Sequence, residues 1–305
     1  MGLAIISPGK NIDAWTQNFK SLDPTVQIQV YPEITDYAAV DAVLLWNHPP
    51  GLLNEFPNLK LICSMGAGVD HILKDPALPV GVPITRIVDE KLTWSMTNYV
   101  IMGVLNHHRQ YERYQQQQQQ KVWDMSNPEL AVKIGILGVG ALGHDIADKL
   151  QYMGFPVVGF GNSPKTLAYP YYYGDQLEDF LSEINVLVCM LPLTPQTEGF
   201  LNLQLFEKCT PGTFLINVAR GKHLIERDLL LSLDKGYLSG ALLDVFHEEP
   251  LPSNHPFWED ARIRMTPHIA SVTNPSAAAP QVLDNYHRMK KSQHLINQIN
   301  RIKGY

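Results

Sequence analysis

The sequence predicts an α/β fold of two doubly wound parallel-sheet domains joined by long helices. Three observations predict it: short apolar runs recur in two series, helical or turn-rich pieces separate them, and a glycine-rich loop opens the second series. A length of 305 residues suits two domains of roughly 100–200 residues each.

In the first series LAII (3–6), VQIQV (26–30), AVLLW (42–46), LKLIC (59–63) and PITRI (83–87) read as strands of parallel βα units. From Thr93 to about Lys121 one long connecting helix is expected, with no proline and only Gly103 to weaken it. The tract Gln115–Gln120 continues it as a solvated face, since glutamine is a good helix former. The second series predicts six strands: KIGILG (133–138), VVGF (157–160), NVLVCM (185–190), TFLINV (213–218), ALLDV (241–245) and RIRM (262–265). After SVTNPSAAAP (271–280) a last helix is expected from Gln281 to about Ile302, returning to the first domain.

Composition narrows the functional classes. Apolar residues are 45% and charged residues 18% of the chain, and no run approaches the roughly 20 apolar residues that span a bilayer, so a soluble protein without a membrane partner is expected. A net charge of −6 with dispersed Lys and Arg gives no basic stripe for nucleic acid. The opening MGLAIISPGK lacks a basic region and reads as a strand, not a signal peptide. Cys63, Cys189 and Cys209, odd in number and set in apolar sequence, read as reduced thiols of a cytoplasmic protein. His107 and His108 are adjacent and diverge on a helix, so no metal site is expected.

Gly138, Val139, Gly140, Ala141, Leu142 and Gly143 form a G-x-G-x-x-G loop between an apolar strand and an amphipathic helix. The first glycine permits the turn, the second lets a pyrophosphate approach, and the third allows close helix–strand packing, so a dinucleotide is the expected cofactor. After the next strand come Gly161, Asn162, Ser163, Pro164 and Lys165, with no carboxylate to hold a ribose 2′-hydroxyl or repel a 2′-phosphate. Ser163 can donate a hydrogen bond and Lys165 can supply charge, which favours NADPH (NADP) and leaves NADH (NAD) possible.

Three polar residues follow later strands, where open α/β sheets bind ligands: Arg220 in NVARG, Glu249 in DVFHEEP and His268 in TPHIA. Reduction of a 2-keto acid needs a cation on the carboxylate and carbonyl, which a guanidinium supplies with paired donors. It also needs an acid for the carbonyl oxygen, and imidazole titrates near working pH. Arg220 and His268 suit these roles, with Glu249, or alternatively Glu248, orienting the imidazole.

LLWNHPP, SMGAGVDHIL, ILGVGALG, LINVARG, GALLDVFHEEPLP, HPFWED, MTPHIA and the terminal KGY, spread over nearly the whole chain, resemble the D-isomer-specific 2-hydroxyacid dehydrogenases. Among these they are most similar to the bacterial glyoxylate/hydroxypyruvate reductase A group. The resemblance implies a flavodoxin-like substrate domain (1–97 with 273–305) and a Rossmann cofactor domain (98–272) in a homodimer. It implies that Ala67 and Gly68 N–H groups hold the substrate carboxylate with Arg220, beside Trp46 and Met65. It further implies that Asp244 anchors the nicotinamide carboxamide, while Leu191, Pro192, Thr194, Val218, Ala219 and His268 line the cofactor. Two departures stand out: Asn162 where NADPH-dependent relatives often carry arginine, and an extra Asn47 before His48. The expected reaction converts glyoxylate or hydroxypyruvate to glycolate or D-glycerate. A bulkier 2-keto acid such as phenylpyruvate, or a cofactor-sensing protein with little turnover, are the alternatives.

Overall fold

Strands buried on both faces read as unbroken apolar runs, and such runs form the inner strands of both sheets. The computed structural model describes Gly2 to Tyr305 and divides into two units, one running up to Leu92 and rejoined by Val272–Tyr305, the other spanning Thr93–Ser271.

The first unit contains β1 (Gly2–Ile6), α1 (Asp13–Leu22), β2 (Gln27–Val30), β3 (Val40–Leu45), β4 (Leu61–Ser64), α2 (Asp70–Leu73) and β5 (Ile84–Thr85). Its parallel sheet has the order β2-β1-β3-β4-β5, with the wholly buried β1 and β3 inside and the glutamine-bearing β2 at one edge.

In the second unit, α3 (Glu90–His108, with its first turn before the boundary) and α4 (Tyr111–Gln120) precede β6 (Ile134–Leu137), α5 (Ala141–Tyr152), β7 (Val157–Gly161) and β8 (Tyr171–Tyr173). Then follow α6 (Leu177–Ser182), β9 (Val186–Cys189), α7 (Leu203–Phe206), β10 (Thr213–Asn217), α8 (Glu226–Asp234), β11 (Leu238–Leu243) and β12 (Ile263–Met265). The parallel order is β12-β11-β10-β9-β6-β7-β8, in which the order of strand addition reverses between β6 and β9, the switch point where open sheets bind ligands. Ile134, Ile136, Val186, Val188 and Ile216 fill one face, and Leu137, Phe180, Leu187 and Leu215 the other.

Three expectations need correction. The single helix from Thr93 to Lys121 is two helices, because Gln110 adopts a left-handed φ of 50° and the Leu130 N–H donates to the His108 carbonyl (2.8 Å). A continuing helix would have given that carbonyl to Glu112, so a tertiary bond ends α3. The second sheet has seven strands, not six; the extra one, β8, is a three-residue edge of tyrosines. The last helix, α9 (Pro275–Lys290), starts six residues before Gln281 (281 − 275) and ends well short of Ile302. Asn274 caps it by accepting from Ser276 and Ala277 N–H, and Pro275 needs no donor at the first position. α9 packs on α1, where His287 Nε2 and Asp23 lie 2.9 Å apart.

His107 stacks on Phe214 (4.3 Å between centroids), and burial pushes its pKa down to about 4, so it packs as a neutral ring. His108 turns instead to the Leu130 carbonyl (2.7 Å). The three cysteines are buried and unbridged, each thiol raised to about 12 by burial. Among the described residues no helix is long and apolar enough to cross a membrane, and no cluster of three or more His, Cys, Asp or Glu could hold a metal.

Candidate active site

The loop between β6 and α5 shows three different reasons for glycine. Gly138 has φ +97°, and a Cβ there would sit 2.7 Å from the Met190 carbonyl oxygen; on Gly143 it would sit 2.3 Å from the Gly138 carbonyl oxygen. Both are required by the chain itself. Gly140 has ordinary extended dihedrals and nothing within 4 Å of a built Cβ, so no protein atom demands glycine there. The open space lies at the start of a twelve-residue helix whose first N–H groups receive no side-chain cap, which fits a pyrophosphate lying against the loop. Gly140→Val should therefore leave the melting temperature of the cofactor-free protein unchanged while weakening NADPH binding at least about tenfold, read by nicotinamide fluorescence. Unchanged affinity would remove the pyrophosphate from this loop.

Asn162, Ser163 and Lys165 are exposed beyond the end of β7. The Lys165 ammonium reaches back to donate to the Val139 carbonyl, bringing its charge onto the phosphate loop. Tyr171 of β8 donates to the Ser163 carbonyl (3.0 Å), and its hydroxyl would meet a Cβ on Gly161 at 2.5 Å, so this edge strand shapes the loop. Across the switch point, Pro192 and Thr194 are braced by Thr197, whose hydroxyl donates to the Pro192 carbonyl (2.6 Å) and accepts from the Thr194 N–H (2.8 Å). Leu191 is partly buried beside them, and Val218 and Ala219 are buried after β10.

His268 Nδ1 lies 2.7 Å from Glu249 Oε2, and both side chains are about one-third exposed. Glu249, not Glu248, makes this contact. Its other oxygen accepts the Phe246 N–H (3.0 Å). Burial alone would raise the Glu249 carboxyl, but the His268 hydrogen bond, the Phe246 N–H and the charges of His268 and Arg220 outweigh it and hold it below its ordinary value. Glu249 is thus a carboxylate throughout the range in which an imidazole titrates.

The His268 backbone is left-handed (φ 55°) and is held by its N–H, which donates to the Asp244 and Thr266 carbonyls (2.8 and 3.0 Å). Asp244, buried after β11, accepts from Thr266 Oγ1 (2.5 Å) and from the Ile269 and Ala270 N–H groups (both 2.8 Å). Three of its roughly four acceptor directions are therefore spent on the His268 loop, leaving one for a carboxamide. Tyr99 of α3 braces Thr266 (2.5 Å), and burial raises its phenol to about 12, so it stays protonated.

Arg220 is placed by its own loop. The Asn217 amide donates to the Arg220 carbonyl (3.1 Å), and the Arg220 N–H reaches His223 Nδ1 (3.2 Å). His223 is wholly buried, with Nε2 3.2 Å from the Pro192 carbonyl and Nδ1 3.1 Å from the Arg220 carbonyl. A Cβ on Gly221 would lie 1.9 Å from the Phe246 carbonyl carbon, so only glycine lets the Arg220 loop meet the segment that binds Glu249. Sequence reasoning missed His223, Asn217, Thr266 and Tyr99, although Asn217 and Thr266 sit in motifs that were read, NVARG and TPHIA.

Within the first unit, Trp46 follows β3 and Met65 follows β4. Ser64 shapes the turn after β4: its hydroxyl donates to the Gly68 carbonyl (2.8 Å) and accepts the Gly66 N–H (3.1 Å). The Ala67 and Gly68 N–H groups have no acceptor among the described residues, so the turn presents two adjacent free donors. Asn47 is left-handed (φ 50°), and the next residue, His48, is buried with its Nε2 3.0 Å from Asp75. Asp75 also accepts the Gly51 and Ala77 N–H groups, pinning the loop after Trp46.

Residues 101–270 match the model of the D-isomer specific 2-hydroxyacid dehydrogenase NAD binding domain. The chain is 38% identical to the glyoxylate/hydroxypyruvate reductase A of Yersinia enterocolitica, covering 100% of both, and 40% identical to that of Photorhabdus laumondii, covering 92% of both. Among solved structures it resembles a D-isomer specific 2-hydroxyacid dehydrogenase from Xanthobacter autotrophicus in complex with NADPH and MES. That match has a TM-score of 0.95 at 34% identity and covers 100% of this chain and 99% of the other. A second is the NADPH-dependent glyoxylate/hydroxypyruvate reductase of Sinorhizobium meliloti with NADP and sulfate (TM-score 0.93, 34% identity, 100% of both chains). With strand order, phosphate loop and full-length identity in agreement, the chain belongs to the D-isomer specific 2-hydroxyacid dehydrogenase family.

Proposed function

We propose that this enzyme reduces a small 2-keto acid, glyoxylate or hydroxypyruvate, to the D-2-hydroxy acid with NADPH. The observation that carries the reading is the 2.7 Å contact between His268 and Glu249 in a chain that keeps the phosphate loop. When bound, the reduced nicotinamide supplies the hydride for C2 of the keto acid. His268 gives its proton to the carbonyl oxygen, and Glu249 fixes the orientation of the imidazole. Arg220 orients the substrate carboxylate and polarises the carbonyl, and within the first unit the free N–H groups of Ala67 and Gly68 are two donors suited to an anion. Asp244 keeps the His268 loop in place.

We assign the cofactor role to residues 98–272 and the substrate role to 1–97 with 273–305. Lys165 on the phosphate loop and the lack of a carboxylate after β7 support NADPH over NADH. Three unbridged thiols favour the cytoplasm, and the exposed Trp123 (91%) and Met125 (77%) favour a homodimer; a single-chain mass by light scattering would contradict the dimer. The test of the reaction is chiral analysis of the product from hydroxypyruvate with NADPH or NADH. D-glycerate formed faster with NADPH supports the reading, and L-glycerate or no product refutes it.

Glu249→Gln is expected to lower kcat/KM by about ten- to a hundredfold, with the loss on kcat, because the imidazole loses the carboxylate that orients it. A variant that keeps the wild-type kcat would deny Glu249 this role.

A further inference from the structure

A cation beside Trp46 has no assignment. Lys10, in the loop after β1, holds its Nζ 4.2 Å from the centroid of a Trp46 ring. The same indole packs on the turn after β4: a Cβ on Gly66 would lie 3.0 Å from Trp46 Cζ3, and the next two residues carry the free Ala67 and Gly68 N–H groups. Trp46 also packs on the His71 ring (4.4 Å between centroids) and is only partly buried, so part of the indole edge stays exposed. Among the described residues three lysines stand over an aromatic ring; Lys235 and Lys290 also pair with a carboxylate, and Lys10 does not. Lys10 is exposed at the surface, and the partial burial of its ammonium lowers its pKa.

An ammonium placed over an aromatic ring and lacking an anion is an unfilled electrostatic site. We propose that Lys10 is a specificity-determining residue, binding a second anionic group at the far end of the 2-keto acid. The substrate's own carboxylate lies on the Ala67 and Gly68 N–H groups, its carbon chain runs along the Trp46 indole, and a terminal carboxylate or phosphate meets Lys10. Among its 2-keto acids the site thereby favours those that carry a second negative charge, with glyoxylate and hydroxypyruvate turned over as substrates that leave Lys10 unfilled. The inference rests on the reductase reading.

Matched pairs that differ only in the terminal charge test it: 2-oxoglutarate against 2-oxopentanoate, oxaloacetate against 2-oxobutanoate, and 3-phosphohydroxypyruvate against hydroxypyruvate. For the wild-type enzyme with NADPH, kcat/KM should favour the charged member of at least one pair by about tenfold or more, mainly through KM. The diacid and phosphate pairs show which anion fits. Lys10→Met, which keeps an apolar stem on the indole, should bring that ratio near one, and Lys10→Arg should restore most of it. A wild-type ratio of one or less in every pair, or a ratio that Lys10→Met leaves unchanged, overturns the proposal while the reductase reading stands. Titration calorimetry of the NADP-loaded protein with the same pairs separates the two claims: a charge preference that depends on Lys10 in binding, with no turnover of any acid, supports Lys10 and refutes the reductase.

Discussion

His268→Ala should lower kcat/KM for the 2-keto acid by about 10²–10⁴-fold, the range a positioned general acid contributes. The loss should fall on kcat. The His268 side chain touches Glu249, whereas the loop around it is held by backbone bonds to Asp244 that alanine keeps: the His268 N–H to the Asp244 carbonyl, and the Ile269 and Ala270 N–H groups to its carboxylate. The variant should therefore fold and bind NADPH as the wild type does. The left-handed φ of 55° at this position disfavours alanine modestly, so His268→Asn, which tolerates that region better, serves as a second variant. Stopped-flow traces that separate cofactor binding from hydride transfer would check both; equal losses in binding and chemistry would speak for a structural role.

Arg220→Gln should raise KM and cut kcat/KM by about 10²–10³-fold, because a charged hydrogen-bond partner of the substrate carboxylate is lost. Its backbone is set by Asn217, His223 and the glycine contact at Phe246, none of which needs the guanidinium. Arg220→Lys should recover only part of the activity, since an ammonium keeps the charge but not the paired donors. Steady-state kinetics in which both variants keep the wild-type KM would remove Arg220 from substrate binding.

What could be read from the sequence was what local chemistry encodes. The inner strands were legible because a strand buried on both faces has no room for polar residues, and the phosphate loop because its glycine spacing sits between a strand and a helix. Arg220, Glu249 and His268 were legible as residue types following strands, though not the 2.7 Å that joins two of them. Features decided by distant partners were not legible. Gln110 breaks a good helical pattern because Leu130 takes the His108 carbonyl, and His223 serves the Arg220 loop through a carbonyl 31 residues away. Tyr99 reaches Thr266 across 167 residues, and Lys10 meets Trp46 only because the loops after β1 and β3 lie side by side. The tyrosine edge strand β8 was too short for a period, although three consecutive aromatics have strand propensity.

The most direct test of the central claim is the initial rate of reduced-nicotinamide consumption by the purified wild-type protein, with glyoxylate and hydroxypyruvate, each against NADPH and NADH. The account predicts saturable turnover of both acids that is faster with NADPH. NADPH binding without turnover of any 2-keto acid, the charged-ended ones included, would contradict it.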